Sequence, residues 1–474
     1  MRRTVLIVLL TALALVPTPA GASRSQESLF EDETSLLYSG PERRDQTLDE
    51  LQGLGVDVIR ANVIWNRYAP SPQAKRKPSF DATDPNAYAL GELDALVAGA
   101  SARGMAVLLT PTGPGPAWAS SCGGSASARR ICNPKPSEYG RFVTALGRRY
   151  PTVARWSLWN EPNQGGWLTP QWKKSGRTHI PAAPTIYRNL VRAATGALAA
   201  TGHRDDQILL GETAPIGRTS GSYAKRSLAP ADFYRELFCL DKRGRKLRGK
   251  AARIRGCRSY KRLAVTGVAH HPYTRGAGQS LGTRVGSGDI TLAHISRLSS
   301  WINRGAHQRR IPGRLPIWIT EYGFQTNPPD RYAGTSLRNQ ARWLNQSDWH
   351  AWRNPRIRSM AQYEMRDERS TGAFQTGLRF LGGKAKPALA AYRLPIWVMA
   401  SGRSTKIWLQ VRPQAQLTEP QKVTVQYLPR GKKSWRTAGS YTVDSRGFLY
   451  RAIGRRGAYW RFVWNGKASR KAAP

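Results

Sequence analysis

The chain has 474 residues, of which 40% are hydrophobic and 9% are aromatic. This content suffices for a large packed domain and excludes a disordered or fibrous protein. The formal net charge of +44 is very large, and it predicts that the protein meets an anionic partner.

The first 22 residues are typical of a secretory signal peptide. Met-Arg-Arg precedes an apolar run over residues 4–16, and Ala20-Gly21-Ala22 matches a cleavage site. A membrane anchor is the alternative, but the run is far shorter than the roughly 20 residues that cross a bilayer. We therefore expect residues 1–22 to be removed and the protein to be secreted, extracellular or cell-wall associated, without a membrane span.

Apolar runs that predict buried strands then alternate with segments of helical periodicity. Eight strands are predicted: TSLLYSG near Leu36, VDVIRANVIW around Arg60, MAVLLTPT around Leu108, RWSLWNE ending at Glu161, QILLGETAP around Leu210, AVTGVAHHPY ending at Tyr273, LPIWITEYG ending near Glu321, and IRSMAQYEM near Gln362. This α/β alternation predicts a (β/α)8 TIM barrel over residues 23–400. A doubly wound open sheet is disfavoured because no glycine-rich phosphate turn follows the first strand.

Short alternating runs split by Pro and Gly occupy residues 401–466, and they predict a small C-terminal antiparallel β-sandwich domain. Residues 467–474 resemble a loose basic tail. The four cysteines of an exported chain predict disulfides, and pairing between neighbours joins Cys122 with Cys132 and Cys239 with Cys257. No C-x-x-C is present, so a zinc site is not expected.

Positive charge is densest just after Cys239, where eleven Lys and Arg residues between 242 and 262 face only Asp241. Such a segment can bind an acidic wall polymer, an anionic glycan or nucleic acid. A solvated basic loop without a partner is the alternative interpretation.

Two glutamates close apolar strands. Pro162 ends the fourth strand directly after Glu161, and the strand must bulge or turn there if Asn160 and Glu161 are both to reach a substrate. Glu321 ends the seventh strand. Retaining glycoside hydrolysis needs two carboxyl groups about 5–5.5 Å apart and requires no metal or organic cofactor, so none is expected.

The stretches WNEPN and TEYG resemble the signatures of the clan A glycoside hydrolases, and the barrel sequence is similar to families 5 and 39 of that clan. The resemblance implies that Glu161 is the acid/base, that Asn160 holds the sugar 2-hydroxyl and that Glu321 is the nucleophile. It also implies that Arg60 supports the nucleophile.

HHPY matches the clan's His-x-Tyr pattern. By this resemblance Tyr273 orients the nucleophile and His271 lines the sugar site, with His270 as the rival histidine. The clan's tryptophan at the end of strand eight is missing, and Met365 or Tyr363 stands in its place.

Two tryptophans follow strand ends in loop-like sequence. Trp118 and Trp167 could each stack on a sugar ring or belong to the core. Glu212, at the end of strand five, could bind a hydroxyl or serve as a structural hydrogen-bonding group.

The sequence thus predicts a secreted, retaining β-glycosidase, expected to be a monomer, that acts on an extracellular oligo- or polysaccharide. A non-catalytic, basic polyanion-binding wall protein on a barrel scaffold is the alternative function.

Overall fold

The computed structural model describes residue 23 and residues 25–454 and 459–474. The predicted signal segment, residues 1–22, lies outside the described residues. Within the described ranges, no helix has the length and apolar character needed to cross a membrane.

Eight parallel strands close into a barrel in which each strand pairs with its neighbours in chain order, and the last pairs with the first. This arrangement confirms the predicted (β/α)8 fold. We number the barrel strands β1 Glu27–Glu31, β2 Val58–Ile64, β3 Ala106–Thr112, β4 Arg155–Leu158, β5 Gln207–Thr213, β6 Gly267–His270, β7 Ile317–Ile319 and β8 Ile357–Tyr363.

Helices lie in the connections between successive barrel strands, and the last of them follows β8 and leads out of the barrel. They are α1 Glu33–Leu37, α2 Pro41–Gly53, α3 Trp65–Tyr68, α4 Gly91–Ala102, α5 Ala126–Arg129, α6 Pro136–Arg149, α7 Ala183–Ala200, α8 Pro230–Leu237, α9 Gly249–Ile254, α10 Ser296–His307, α11 Leu337–Trp352 and α12 Pro387–Arg393. Because both faces of the barrel strands are covered, nearly every residue of β2, β3 and β5 is buried.

The prediction for the first strand was wrong. Leu36 lies in α1, and the strand is the preceding segment ESLFE. Helix α1 begins there because the Asp32 carboxylate accepts a hydrogen bond from the Ser35 N–H at 2.8 Å and so caps the helix.

Two antiparallel sheets follow the barrel. One contains Ile396–Ser401, Ser404–Gln410 and Phe448–Ile453, and the other contains Arg436–Thr442, Lys422–Leu428, Tyr459–Trp464 and Lys467–Ala468. Their apolar side chains form one shared core, as in a sandwich.

The sandwich extends beyond the predicted bounds of residues 401–466 at both ends. Its first strand begins at Ile396, inside the range assigned to the barrel. The predicted tail is not loose, because Ala472 exchanges backbone hydrogen bonds with Trp460 at 2.7 and 2.9 Å and is 2% exposed.

Contacts between the sandwich and the barrel lie near the amino ends of β1 and β2. Arg412 donates to Ser28 at 2.7 Å and to Asp348 at 3.0 Å, and Arg446 pairs with Asp57 just before β2. The predicted disulfides Cys122–Cys132 and Cys239–Cys257 are both present.

Candidate active site

The backbone turns sharply after β4, and this turn presents two polar side chains to one cavity. The strand ends at Leu158, and Trp159 and Glu161 both take left-handed backbone conformations with φ of 72° and 39°. The turn is held by hydrogen bonds from the Asn160 N–H to Thr112 Oγ1 at 2.9 Å and from the Glu161 N–H to the Glu212 carbonyl at 3.1 Å. The predicted turn is confirmed, and its strained conformation is of a kind that clusters at functional sites.

The carboxylates of Glu161 and Glu321 face each other at the carboxyl ends of β4 and β7. His271 lies between them, with Nδ1 3.1 Å from Glu161 Oε1 and 3.4 Å from Glu321 Oε2. One ligand atom from each of the three residues lies within 4.8 Å of the other two. Part of each carboxylate side chain remains accessible, 18% for Glu161 and 11% for Glu321.

A fully buried arginine beneath the cavity binds several of its acidic groups. The Arg60 guanidinium donates to both Glu212 oxygens at 3.0 and 2.7 Å, to Asn160 Oδ1 at 2.8 Å and to Glu321 Oε2 at 3.4 Å, and it forms an ion pair with Glu31. Burial opposes its charge, but the neighbouring carboxylates, led by Glu212, raise the pKa of Arg60 well above its ordinary value. Arg60 therefore stays charged and supplies the positive charge under the carboxylate pair.

Glu212, whose role the sequence left open, is fully buried in its bidentate pair with Arg60. It does not line the cavity, so its contacts are those of a structural partner of the arginine.

The two carboxylates have different surroundings. Tyr273 donates a hydrogen bond from its hydroxyl to Glu321 Oε1 at 2.9 Å. Burial raises the pKa of Glu321 to about 7, while Arg60 and the Tyr273 hydroxyl oppose this rise. Burial, and after it the charge of Glu321, raise the pKa of Glu161 well above its ordinary value.

The neighbouring histidines occupy different environments, and only His271 contacts the carboxylates. Burial, aided by the charge of Arg60, lowers the pKa of His271, so its ring is neutral. His270 bonds instead to Thr213 Oγ1 at 2.8 Å and to the Ile290 carbonyl at 2.7 Å.

Glu161, His271 and Glu321 are also close enough together to ligate a metal ion. The Arg60 guanidinium, 3.4 Å from Glu321 Oε2, opposes a second cation at this position. The arrangement suits proton transfer and nucleophilic attack better than metal binding.

The cavity over these residues has a volume of about 770 Å³. Five carboxylate residues line it with a single arginine, together with aromatic side chains that can stack on sugar rings. Its charged and aromatic lining consists of Glu31, Glu33, Glu161, Glu321, Glu368, Arg218, Tyr38, Trp167, Tyr273, Tyr363 and Phe374.

Two of the predicted substrate contacts are wrong. Trp118 is 1% exposed, donates from its indole nitrogen to the Pro70 carbonyl and packs edge-on against Trp65, so it belongs to the core. Met365 is also 1% exposed and does not line the cavity, where Tyr363 lies instead. Trp167 lines the cavity.

Sequence reasoning missed the acidic groups contributed by β1 and α1. Glu31 accepts a hydrogen bond from Asn62 Nδ2 at 2.9 Å, and Glu33 accepts one from the Asn62 N–H at 3.0 Å. The usable signal was Asp32 followed by Glu33, which is typical of a helix N-terminus and would have moved the strand upstream.

A family model described as cellulase (glycosyl hydrolase family 5) matches residues 21–236, a range that contains Glu161 and ends before Glu321. No curated protein matches the sequence.

Among solved structures, the fold is similar to a family 39 glycoside hydrolase from the gut symbiont Bacteroides cellulosilyticus WH2, with a TM-score of 0.50 and 12% identity over 90% of this chain and 79% of that one. It is also similar to a glucosidase from Croceicoccus marinus, with a TM-score of 0.50 and 11% identity over 91% of this chain and 84% of that one. Residues 21–236 are thus similar to the family 5 glycosyl hydrolases, and the two solved structures share the barrel fold of this chain.

Proposed function

We propose that the chain is a secreted, retaining β-glycosidase that cleaves an extracellular oligo- or polysaccharide by double displacement. The observation that carries the proposal is the carboxylate pair of Glu161 and Glu321, whose facing oxygens lie within 4.8 Å. Retaining enzymes hold their carboxyl groups about 5–5.5 Å apart, whereas inverting enzymes need about 6.5–9.5 Å to admit a water molecule.

In the first step Glu321 is the nucleophile. One of its oxygens attacks the anomeric carbon, the bond from that carbon to the leaving oxygen breaks, and Glu161 transfers its proton to the leaving oxygen. Arg60 and the Tyr273 hydroxyl both favour the ionised form of Glu321. Glu161 is the acid because burial and the charge of Glu321 hold its proton.

In the second step the roles reverse. Once Glu321 is esterified its charge is gone, so the pKa of Glu161 falls and Glu161 becomes a base. Glu161 then takes a proton from water, the water oxygen attacks the anomeric carbon, and Glu321 departs with the electron pair of the ester bond. The neutral ring of His271 can donate a hydrogen bond from Nδ1 to Glu161 without adding a charge.

Asn160 is oriented to bind the substrate. Its Oδ1 accepts the hydrogen bond from Arg60 at 2.8 Å, and its amide nitrogen, which donates to no other described residue, can donate to a sugar hydroxyl. We assign the 2-hydroxyl as its acceptor, because hydrogen bonds to this group strengthen in the transition state.

Secretion is supported by the signal-like sequence of residues 1–22 and by the two disulfides, since disulfides persist in oxidising compartments. N-terminal sequencing of the protein recovered from culture medium tests this part. A mature chain that begins near residue 23 supports export, and a full-length chain confined to the cytosol contradicts it.

Trapping of the glycosyl-enzyme tests the mechanism. A 2-deoxy-2-fluoro β-glycoside with an activated leaving group should add one sugar mass to Glu321, as read by peptide mass spectrometry. Glu321→Gln should abolish turnover and remain folded, with the exposed control variant Glu42→Gln fully active. Labelling of another residue, or substantial activity in Glu321→Gln, would exclude this mechanism.

A further inference from the structure

A dense basic surface lies outside the proposed active site. The segment from Asp241 to Arg262, which we call the basic platform, contains eleven Lys and Arg residues, of which all but Arg255 are exposed. Arg245 pairs with Asp241 and Arg255 pairs with Glu236. The other nine cations form no ion pair with any carboxylate in the described part of the chain.

A disulfide and a buried arginine hold the backbone of the platform in place. The Cys239–Cys257 disulfide joins its two sides. The buried guanidinium of Arg188 donates to the Arg255 carbonyl at 2.6 Å and to the Leu237 carbonyl at 3.1 Å. A ligand therefore meets charges on an ordered backbone, which reduces the entropy lost on binding.

The platform lies along the outer side of the barrel, where its Arg255 carbonyl accepts a hydrogen bond of 3.0 Å from Thr185 Oγ1 in the first turn of α7. It belongs to the connection between α8 and β6. The Leu263 N–H bonds to the carbonyl of Arg310, which belongs to the equivalent connection between α10 and β7. The residues that line the cavity include none from the platform.

We propose that the basic platform binds an acidic polysaccharide and thereby holds the enzyme on an anionic matrix while the cavity stays open to substrate. Guanidinium and ammonium groups pair well with the carboxylate or sulfate groups of such a polymer. Single-stranded nucleic acid is less suitable, because its proteins stack bases on exposed aromatic rings. The platform's one aromatic residue, Tyr260, is half-buried, with the Arg310 guanidinium 4.3 Å from its ring centre.

The test is binding of the full-length protein to immobilised polygalacturonate over a range of salt concentrations. Wild type should lose affinity steeply as salt rises, because bound counterions are released on binding. Changing Lys242, Arg243, Lys246 and Arg248 together to Gln should weaken binding at least about tenfold at 0.1 M NaCl and lower the salt slope by about 2–3. The absence of salt-sensitive binding by wild type would overturn the proposal.

A matched control removes the same charge from the C-terminal sandwich, by changing the exposed residues Lys422, Arg430, Lys432 and Lys433 together to Gln. Less than about twofold weakening in this control supports a localised site. Equal weakening of binding in both variants would overturn the proposal, because the net charge of the whole protein would then explain the binding. If the platform variant, relative to wild type, loses more affinity for a single-stranded DNA oligonucleotide than for polygalacturonate, the platform is assigned to nucleic acid instead.

The two proposals fail independently, because this binding is measured without turnover. An inactive wild-type protein that still binds through the platform contradicts the proposed hydrolysis alone. Unchanged thermal unfolding in both variants verifies that they are folded.

Discussion

The Tyr273 hydroxyl donates a hydrogen bond of 2.9 Å to Glu321 Oε1, on the carboxylate that also contacts Arg60. This bond opposes the rise that burial causes in the pKa of Glu321. Tyr273→Phe removes it and leaves the ring in place. We expect kcat/KM to fall about 10- to 100-fold, as for loss of a hydrogen bond to a charged group, and the acidic limb of the pH profile to move to higher pH. Tyr322→Phe, at the neighbouring buried tyrosine that bonds to Ser347, is the control and should leave the pH profile unchanged.

The stability of the folded protein should depend on pH through the buried carboxyl group of Glu321. The folded-state pKa of Glu321 is about 7, above that of an unfolded glutamate, so its contribution to stability is present at low pH and is lost as pH rises between these values. Glu321→Gln should therefore stabilise the fold at pH 8 by up to about 3 kcal/mol and have much less effect at pH 4. Thermal unfolding of both proteins at the two pH values measures this. An equal effect at both pH values would contradict the raised pKa.

Replacement of Arg60 should lower both the free energy of unfolding and the catalytic rate. Arg60→Met leaves Glu31 and Glu212 buried without their cation, which should cost about 3–5 kcal/mol of unfolding free energy. Arg60→Lys keeps the charge but cannot make the bidentate contact with Glu212, so an intermediate loss is expected. Denaturant unfolding measures both variants, and full stability of Arg60→Met would contradict the ion-pair arrangement.

The charge of the cavity should exclude acidic sugars. Besides Glu161, which holds its proton, four carboxylate residues and one arginine line it, so a glucuronide meets more repulsion than the matching glucoside. We expect kcat/KM for an aryl β-glucuronide to be at least about 100-fold lower than for the uncharged aryl β-glycoside, since each opposing charge contributes roughly 1 kcal/mol or more. Changing Glu33 and Glu368 to Gln should bring the kcat/KM values for the two substrates closer together. A wild-type preference for the glucuronide would contradict the electrostatic interpretation.

Two tryptophans that are alike in sequence context should respond differently to truncation. Trp118→Ala removes a core side chain and should cost about 3–5 kcal/mol of stability. Trp167→Ala removes a cavity wall, so KM should rise about 5- to 50-fold, corresponding to a stacking contact of about 1–2 kcal/mol, with little change in unfolding temperature. Kinetics and calorimetry on both variants separate the roles, and a reversed pattern would contradict these assignments.

The strands that end near Glu161 and Glu321 could be predicted because buried parallel strands are continuous apolar runs. Strand β1 could not be predicted in this way, because glutamates stand at both of its ends. Glu27 pairs with Arg155 at 2.7 Å, and Glu31 pairs with Arg60. These partners are distant in sequence. From the sequence alone the segment therefore resembles an exposed, charged stretch and not a buried strand.

The same limit applies to the aromatic residues. Whether Trp118 faces a sugar or the core depends on Trp65 and Phe80, which pack against it from other parts of the chain. The catalytic pair could be predicted from the sequence because its position depends only on where strands end. The residues of the cavity walls could not be predicted, because their positions depend on how the loops pack.

The guanidinium of Arg60 has an evolutionary consequence. Since it serves Glu31, Glu212, Glu321 and Asn160 at once, a change at any one of these positions alters the partners left for the others. Substitutions among the five residues are therefore non-additive, and the effect of a change at one position depends on which residues occupy the other four. The lineage of this barrel should retain the five as an inherited unit while the loops around them diversify.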